Sequence, residues 1–143
     1  MTNIPSNSEK IVDRFTNYSK ALAKLSEIHT KNISRIDEIT RDAYFQRYEF
    51  TIELAWKLVK DILEFEQIIA KTPRESIKEA VKANILSDFY IWDEMLTTRN
   101  YSSHNYDEKE IQSIFPKIYN QFYPELISLQ TYVSTKYKIR PAK

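Results

Sequence analysis

Not one residue of this 143-residue chain is glycine. Glycine takes positive φ without a Cβ penalty and lets the backbone approach a ligand closely, so its absence removes every Gly-rich phosphate loop. Folds that hold nucleotides on a P-loop or on the dinucleotide fingerprint are excluded. Helical periodicity dominates instead. Ile11, Phe15, Tyr18, Leu22, Leu25 and Ile28 follow steps of four and three, which puts one apolar stripe on a helix whose other faces carry Lys10, Asp13, Arg14, Lys20, Lys24 and Glu27.

A second stripe runs through Phe45, Tyr48, Ile52, Ala55, Val59 and Ile62, and Phe50, Leu54, Trp56, Leu58 and Leu63 widen it beyond one face. Such a helix packs on two sides, as the centre of a bundle or as one that also feeds a dimer interface. "TPRESIKEA" opens a third helix, with Thr72 as N-cap, Pro73 at the first helical position and Glu75 three residues after the cap. Ser87 or Asp88 caps a fourth, through Phe89, Trp92, Met95 and Leu96. Asp107, with Glu110 at N3, opens a fifth that keeps its period through Ile111, Ile114, Phe115, Ile118, Phe122, Leu126, Leu129 and Val133. Pro124 is expected to kink or break this last helix, and Pro116 is a second candidate. Five helices with short connections and no strand alternation predict an all-α up-and-down bundle.

The length suits one domain, 1–143, with a core over about 8–135 and short flexible termini; 42% hydrophobic content is enough to fill that core. Lys and Arg number 21 against 20 Asp and Glu, so no global charge attracts nucleic acid or an anionic membrane, and a polyanion would need a local patch. There is no cysteine, which excludes disulfides and thiolate metal sites. "MTNIPSNSEK" has neither the basic start nor the apolar run of a signal peptide, and no window approaches the ~18 apolar residues that span a bilayer. The expectation is a soluble, cytoplasmic protein without membrane contact.

Only His29 and His104 can do imidazole chemistry near neutral pH. His29 closes the first helix in "EIHTK", where a cation complements the negative end of the helix dipole and no polar cluster surrounds it. It is assigned a structural or surface role. His104 has different company in "RNYSSHNY", residues 99–106: Arg99, Asn100, Ser102, Ser103 and Tyr106. An arginine fork suits phosphate oxygens, and a histidine can take a proton from a 2′-hydroxyl while the cation steadies the charged phosphorane. If the segment stays helical, five residues place Arg99 and His104 about 140° apart, so one copy converges poorly. Two copies across a dimer axis, or a helix that unwinds after Arg99, would bring them together. The plainer alternative pairs Arg99 with a carboxylate such as Glu94 or Asp107 and leaves His104 as a helix end.

Other charged groups carry less. Arg74, Lys78 and Lys82 recur every four residues and can contact an RNA backbone, but interleaved Glu75 and Glu79 favour a solvated face. The tail "STKYKIRPAK" has four basic residues and no acidic one, which suits RNA or simply water. Glu49 and Glu53 lie four apart, but without a histidine at ligand spacing or a second acidic pair they do not make a di-metal site. No metal or cofactor is expected.

In order along the chain, "RFTNYSKALAKL" (Arg14–Leu25), "RYEFTIELAWKLVKDIL" (Arg47–Leu63), "TPRESIKEA" (Thr72–Ala80) and "WDEMLTTRNYSSHNYDE" (Trp92–Glu108) resemble the HEPN-domain proteins. Within them the chain is most similar to the group called nucleotidyltransferase substrate-binding proteins, or HepT-type toxins. The resemblance runs from about Arg14 to about Tyr123. It implies a dimeric helical bundle in which R-x4-H motifs of two protomers line one cleft. Active members are metal-independent endoribonucleases that act as toxins beside a small nucleotidyltransferase antitoxin. On that pattern Arg99 and His104 are the catalytic pair and Asn100 the polar residue after the arginine. Tyr106, at the end of R-x4-H-x-Y, is the tyrosine to which the nucleotidyltransferase attaches AMP, placing negative charge and bulk where an RNA phosphate should sit. One departure is Tyr48, where the pattern has phenylalanine. The implied partners are a second copy of the chain, the nucleotidyltransferase and RNA. The rival expectation is a non-catalytic subunit that presents substrate to a nucleotidyltransferase.

Overall fold

The computed structural model describes residues 7–31, 33–100 and 107–141, with residues 7, 8, 33 and 100 described by backbone alone. The elements are α1 (Asn7–His29), a 3₁₀ turn (Ile33–Arg35), α2 (Glu38–Phe65), α3 (Pro73–Lys82), α4 (Phe89–Asn100), α5 (Glu108–Lys117), a π turn (Ile118–Phe122) and α6 (Tyr123–Tyr137). Because α5, the π turn and α6 are continuous, the described residues form five helical rods, and they contain no strand. This is the all-α bundle the periodicity predicts.

Both stripes face inward. Every residue of the α1 stripe and of the first α2 stripe is buried, and α2 packs against α1, α3, α4 and α6, as a central helix must. The widened face of α2 divides: Leu58 and Leu63 are buried, Leu54 and Trp56 are half-buried, and Phe50 is 62% exposed. Tyrosine hydroxyls tie the rods together inside the core. Tyr18 Oη donates to the Leu126 carbonyl at 2.6 Å, and Tyr48 Oη donates to the Met95 carbonyl at 3.1 Å. The hydroxyl that phenylalanine would lack at position 48 therefore anchors α2 to α4, the helix that carries Arg99.

The caps follow their chemistry. Thr72 Oγ1 accepts from Glu75 N, and the Glu75 carboxylate reaches back to the N–H of Lys71. Asp88, rather than Ser87, caps α4, accepting from Tyr90 N and Ile91 N at 2.8 and 3.2 Å. Asp107 accepts from Glu110 N at 2.8 Å. At the other ends, where glycine usually supplies positive φ, Gln67, Asn84 and Lys138 stand at φ of 64°, 63° and 55°. The bonds expected of such a closure are made: Ile68 N to Leu63 O, Ile85 N to Ala80 O and Ile139 N to Ser134 O.

Of the kink or break expected at Pro124, the helix shows no break, but its geometry changes just before the proline. A proline removes one N–H and crowds the carbonyl four residues back, which an unmodified α-helix cannot absorb. Here the turn before it widens, with Tyr123 N donating to Ile118 O five residues back, and the backbone continues into α6 with Pro124 in its first turn. Pro116 lies inside α5, which also continues.

The π turn builds the environment of His29, which corrects the expectation of a dipole-facing cation without polar neighbours. Tyr119 and Tyr123 stack on the imidazole with ring centroids 3.9 and 3.5 Å away and planes within 17°. Two rings cannot share one face at those distances, so they hold it from opposite sides. The hydroxyl of buried Tyr44 lies 2.8 Å from Nδ1, and Tyr119 Oη donates to the His29 carbonyl. Burial lowers the imidazole pKa from its usual value. The unfolded chain therefore binds a proton before the folded one does, and stability falls as pH drops below about 6.5. Melting temperatures measured between pH 8 and 5.5 should decline on the acid side for the wild type, and the slope should shrink for His29→Gln. An unchanged slope would place the titration elsewhere.

Candidate active site

Arg99 sits in the last turn of α4, and its side chain is 19% exposed. Its guanidinium donates from Nη1 to Glu53 Oε2 of α2 at 2.7 Å and lies over the half-buried Trp56 ring at 6.0 Å. Lys57 approaches the other oxygen of Glu53 at 3.8 Å, so this carboxylate bridges two cations, and the three side chains together carry one net positive charge. An arginine has enough donors to keep a carboxylate and still meet a phosphate.

The plainer alternative, in which Arg99 pairs with a carboxylate such as Glu94 or Asp107, holds in kind, but the carboxylate is Glu53. Glu94 instead accepts from Lys117 of α5 at 2.7 Å, and Asp107 is spent on the α5 cap. Tyr48 Oη on the Met95 carbonyl and the buried Trp92 and Met95 hold α4 against α2, where Arg99, one residue before the end of α4, meets Glu53. Glu53, considered only as half of a carboxylate pair, is thereby an arginine anchor. The available signal was thin, a charged residue between Ile52 and Leu54 on the face that the additional apolar residues widen.

On the far side of the motif, Arg41 makes a two-pronged pair with Glu108, at 2.8 and 3.1 Å. The guanidinium holds the Glu108 carboxyl below the usual range. Arg41 lies twelve residues before Glu53 on α2, about 18 Å along the axis. Thus Arg99 and Glu108, which flank residues 101–106, both attach to α2. His104 and Tyr106 fall outside the described residues, as does the side chain of Asn100, whose backbone ends α4.

The other basic groups are largely engaged. Arg74 pairs with Asp93 at 3.2 Å and lies over Phe89, while Lys82 pairs with Glu79. Lys78, with no ion-pair partner among the described residues, borders a cleft of about 600 Å³ with Thr72, Arg74, Glu75 and Phe89. In the tail, Lys136 bonds Glu66 and Tyr132. No helix among the described residues is long and apolar enough to cross a membrane.

Residues 13–135 match the family model described as "Nucleotidyltransferase substrate binding protein like". The chain belongs to this family. The match spans α2, α3, α4 and α5 and most of α1 and α6, and it includes the whole of "RNYSSHNY". Among curated proteins the chain is 27% identical over 78 residues to "Probable ribonuclease HepT" of Haemophilus influenzae, a match covering 51% of this chain and 53% of that protein. The chain thus spans about half the length of that relative. Among solved structures it is similar to a crystal structure of a Thermus thermophilus protein, with a TM-score of 0.69 and 27% identity over 85% of this chain and 98% of the other. The helical bundle is therefore a shape this nucleotidyltransferase substrate-binding-like chain shares with a solved protein.

Proposed function

We propose that this member of the family is a metal-independent endoribonuclease, a toxin paired with a small nucleotidyltransferase antitoxin. The observation that carries the reading is Arg99: a half-buried guanidinium fixed on α2 at the head of an intact R-x4-H-x-Y string. Two protomers would face each other so that two Arg99 and two His104 share one groove. In the reaction one His104 takes the proton of a ribose 2′-hydroxyl, and that oxygen attacks the adjacent phosphorus. Arg99 stabilises the phosphorane, Asn100 contributes a polar contact beside it, and the bond to the 5′-oxygen breaks as that oxygen gains a proton from the second His104. The products are a 2′,3′-cyclic phosphate and a 5′-hydroxyl, so no metal, cofactor or outside reactant is required. The kinship with a protein named as a probable ribonuclease supports the same reading.

Tyr106 is the off switch in this scheme: AMP transferred to its hydroxyl puts a phosphate and a nucleoside beside the groove. The purified protein should cut single-stranded RNA in EDTA, and coexpression with the neighbouring nucleotidyltransferase should end the cutting and add AMP to a peptide containing Tyr106. Neutralisation without that mass increase would mean inhibition by binding alone. The substrate-binding role for which the family is described favours one other reading, a non-catalytic subunit that presents substrate to the nucleotidyltransferase. Copurification with the partner, without cleavage of any RNA, is the result that reading expects.

A further inference from the structure

We infer that Glu53 is a positioning residue for Arg99, resting on the ribonuclease reading above. A free arginine at a helix end samples many rotamers, and its fork meets a phosphate only in a few of them. Arg99 is constrained from two directions. Glu53 Oε2 takes Nη1 at 2.7 Å, which fixes the direction of the fork, and the guanidinium carbon stands over the Trp56 ring, 6.0 Å from its centroid, which limits the space it can sweep. Glu53 is held in turn by its place on α2 and by Lys57 on its other oxygen. The central helix of the bundle therefore sets where the phosphate-stabilising cation points.

The carboxylate also has an opposite effect. Its negative charge offsets one of the two cations it bridges, so it weakens the attraction for a polyanion while it improves the aim of Arg99. Orientation and charge make separate predictions, because glutamine keeps an acceptor oxygen without the charge and alanine keeps neither.

The experiment compares Glu53→Gln and Glu53→Ala with the wild type, in steady-state cleavage of a fluorescent single-stranded RNA, with Arg99→Ala as reference. Glu53 is 40% exposed, so both variants should fold, which their melting temperatures will report. Both should lower KM, through the lost charge. The value of kcat should be about tenfold or more lower in Glu53→Ala than in Glu53→Gln, the size of effect expected when a reacting group is misplaced. Equal kcat values for the two variants overturn the inference while leaving the ribonuclease reading intact. Arg99→Ala cutting as fast as the wild type overturns the reading itself. If no preparation cuts RNA, the inference is still decided by the Arg99 Nη–H signal in ¹⁵N spectra, since Nη1 is the nitrogen that Glu53 holds. It should be sharp and slowly exchanging in the wild type and in Glu53→Gln and lost in Glu53→Ala, and its survival in Glu53→Ala refutes the inference.

Discussion

Replacing Arg99 with alanine is expected to slow RNA cleavage by about 10²–10³-fold, the usual cost of removing one preorganised group that stabilises transition-state charge. The loss should fall on kcat more than on KM, because the guanidinium matters most when the phosphorus carries its extra negative charge. Stability should change by only about 1 kcal/mol or less, since Glu53 and Lys57 remain partly solvated once the cation is gone. Arg99→Lys restores a positive charge but not the planar fork, so it should recover little. His104→Ala should be comparably inactive, and the double variant should be no worse than the poorer single one, because the two groups serve one step. Cleavage at the wild-type rate by Arg99→Ala or His104→Ala would remove that residue from the reaction.

Trp92→Ala should be the most damaging single truncation to the fold. The indole is wholly buried, and its N–H donates to Glu125 Oε1 at 3.0 Å, which joins α4 to the first turn of α6. Removing it leaves a large cavity and a carboxylate oxygen without its donor, at a cost of about 3–5 kcal/mol. That is a large share of the roughly 5–15 kcal/mol by which ordinary domains are stable. In urea the midpoint should drop with little change in slope. A loss below about 1 kcal/mol would mean that the neighbouring rods collapse into the space. Because Arg99 is seven residues further along the same helix, the surviving folded fraction should also cut RNA more slowly.

Much of this architecture was legible in the sequence because it depends on local rules. The apolar steps on α1 and α2, the Thr72 cap and the Asp107 cap are each decided within one or two helical turns, and each stands where the residues put it. What was not legible depends on pairs far apart in the chain. Arg99 and Glu53 are 46 residues apart, and Arg41 and Glu108 are 67 apart, so nothing in the spacing of either member announces the other. His29 shows the same limit: its chain neighbours mark a helix end, while the tyrosines that enclose it arrive from α2 and from beyond residue 118. How the chain accommodates Pro124 was not legible for a different reason. The rule about proline concerns an α-helix, and the chain escapes it by changing the helix type for one turn.

The three left-handed residues at helix ends have a consequence for the unfolded chain. An ordinary sequence of this length would hold roughly ten glycines, each enlarging the set of conformations that folding must give up. This chain holds none, so its denatured ensemble is stiffer, and ordering it forfeits less backbone entropy. Gln67, Asn84 and Lys138 carry the other side of that exchange, because each bears in the native state the backbone strain that glycine would have relieved. Among the described residues, the part of the conformational penalty that glycine would have moved into the unfolded chain is thus borne at three helix exits.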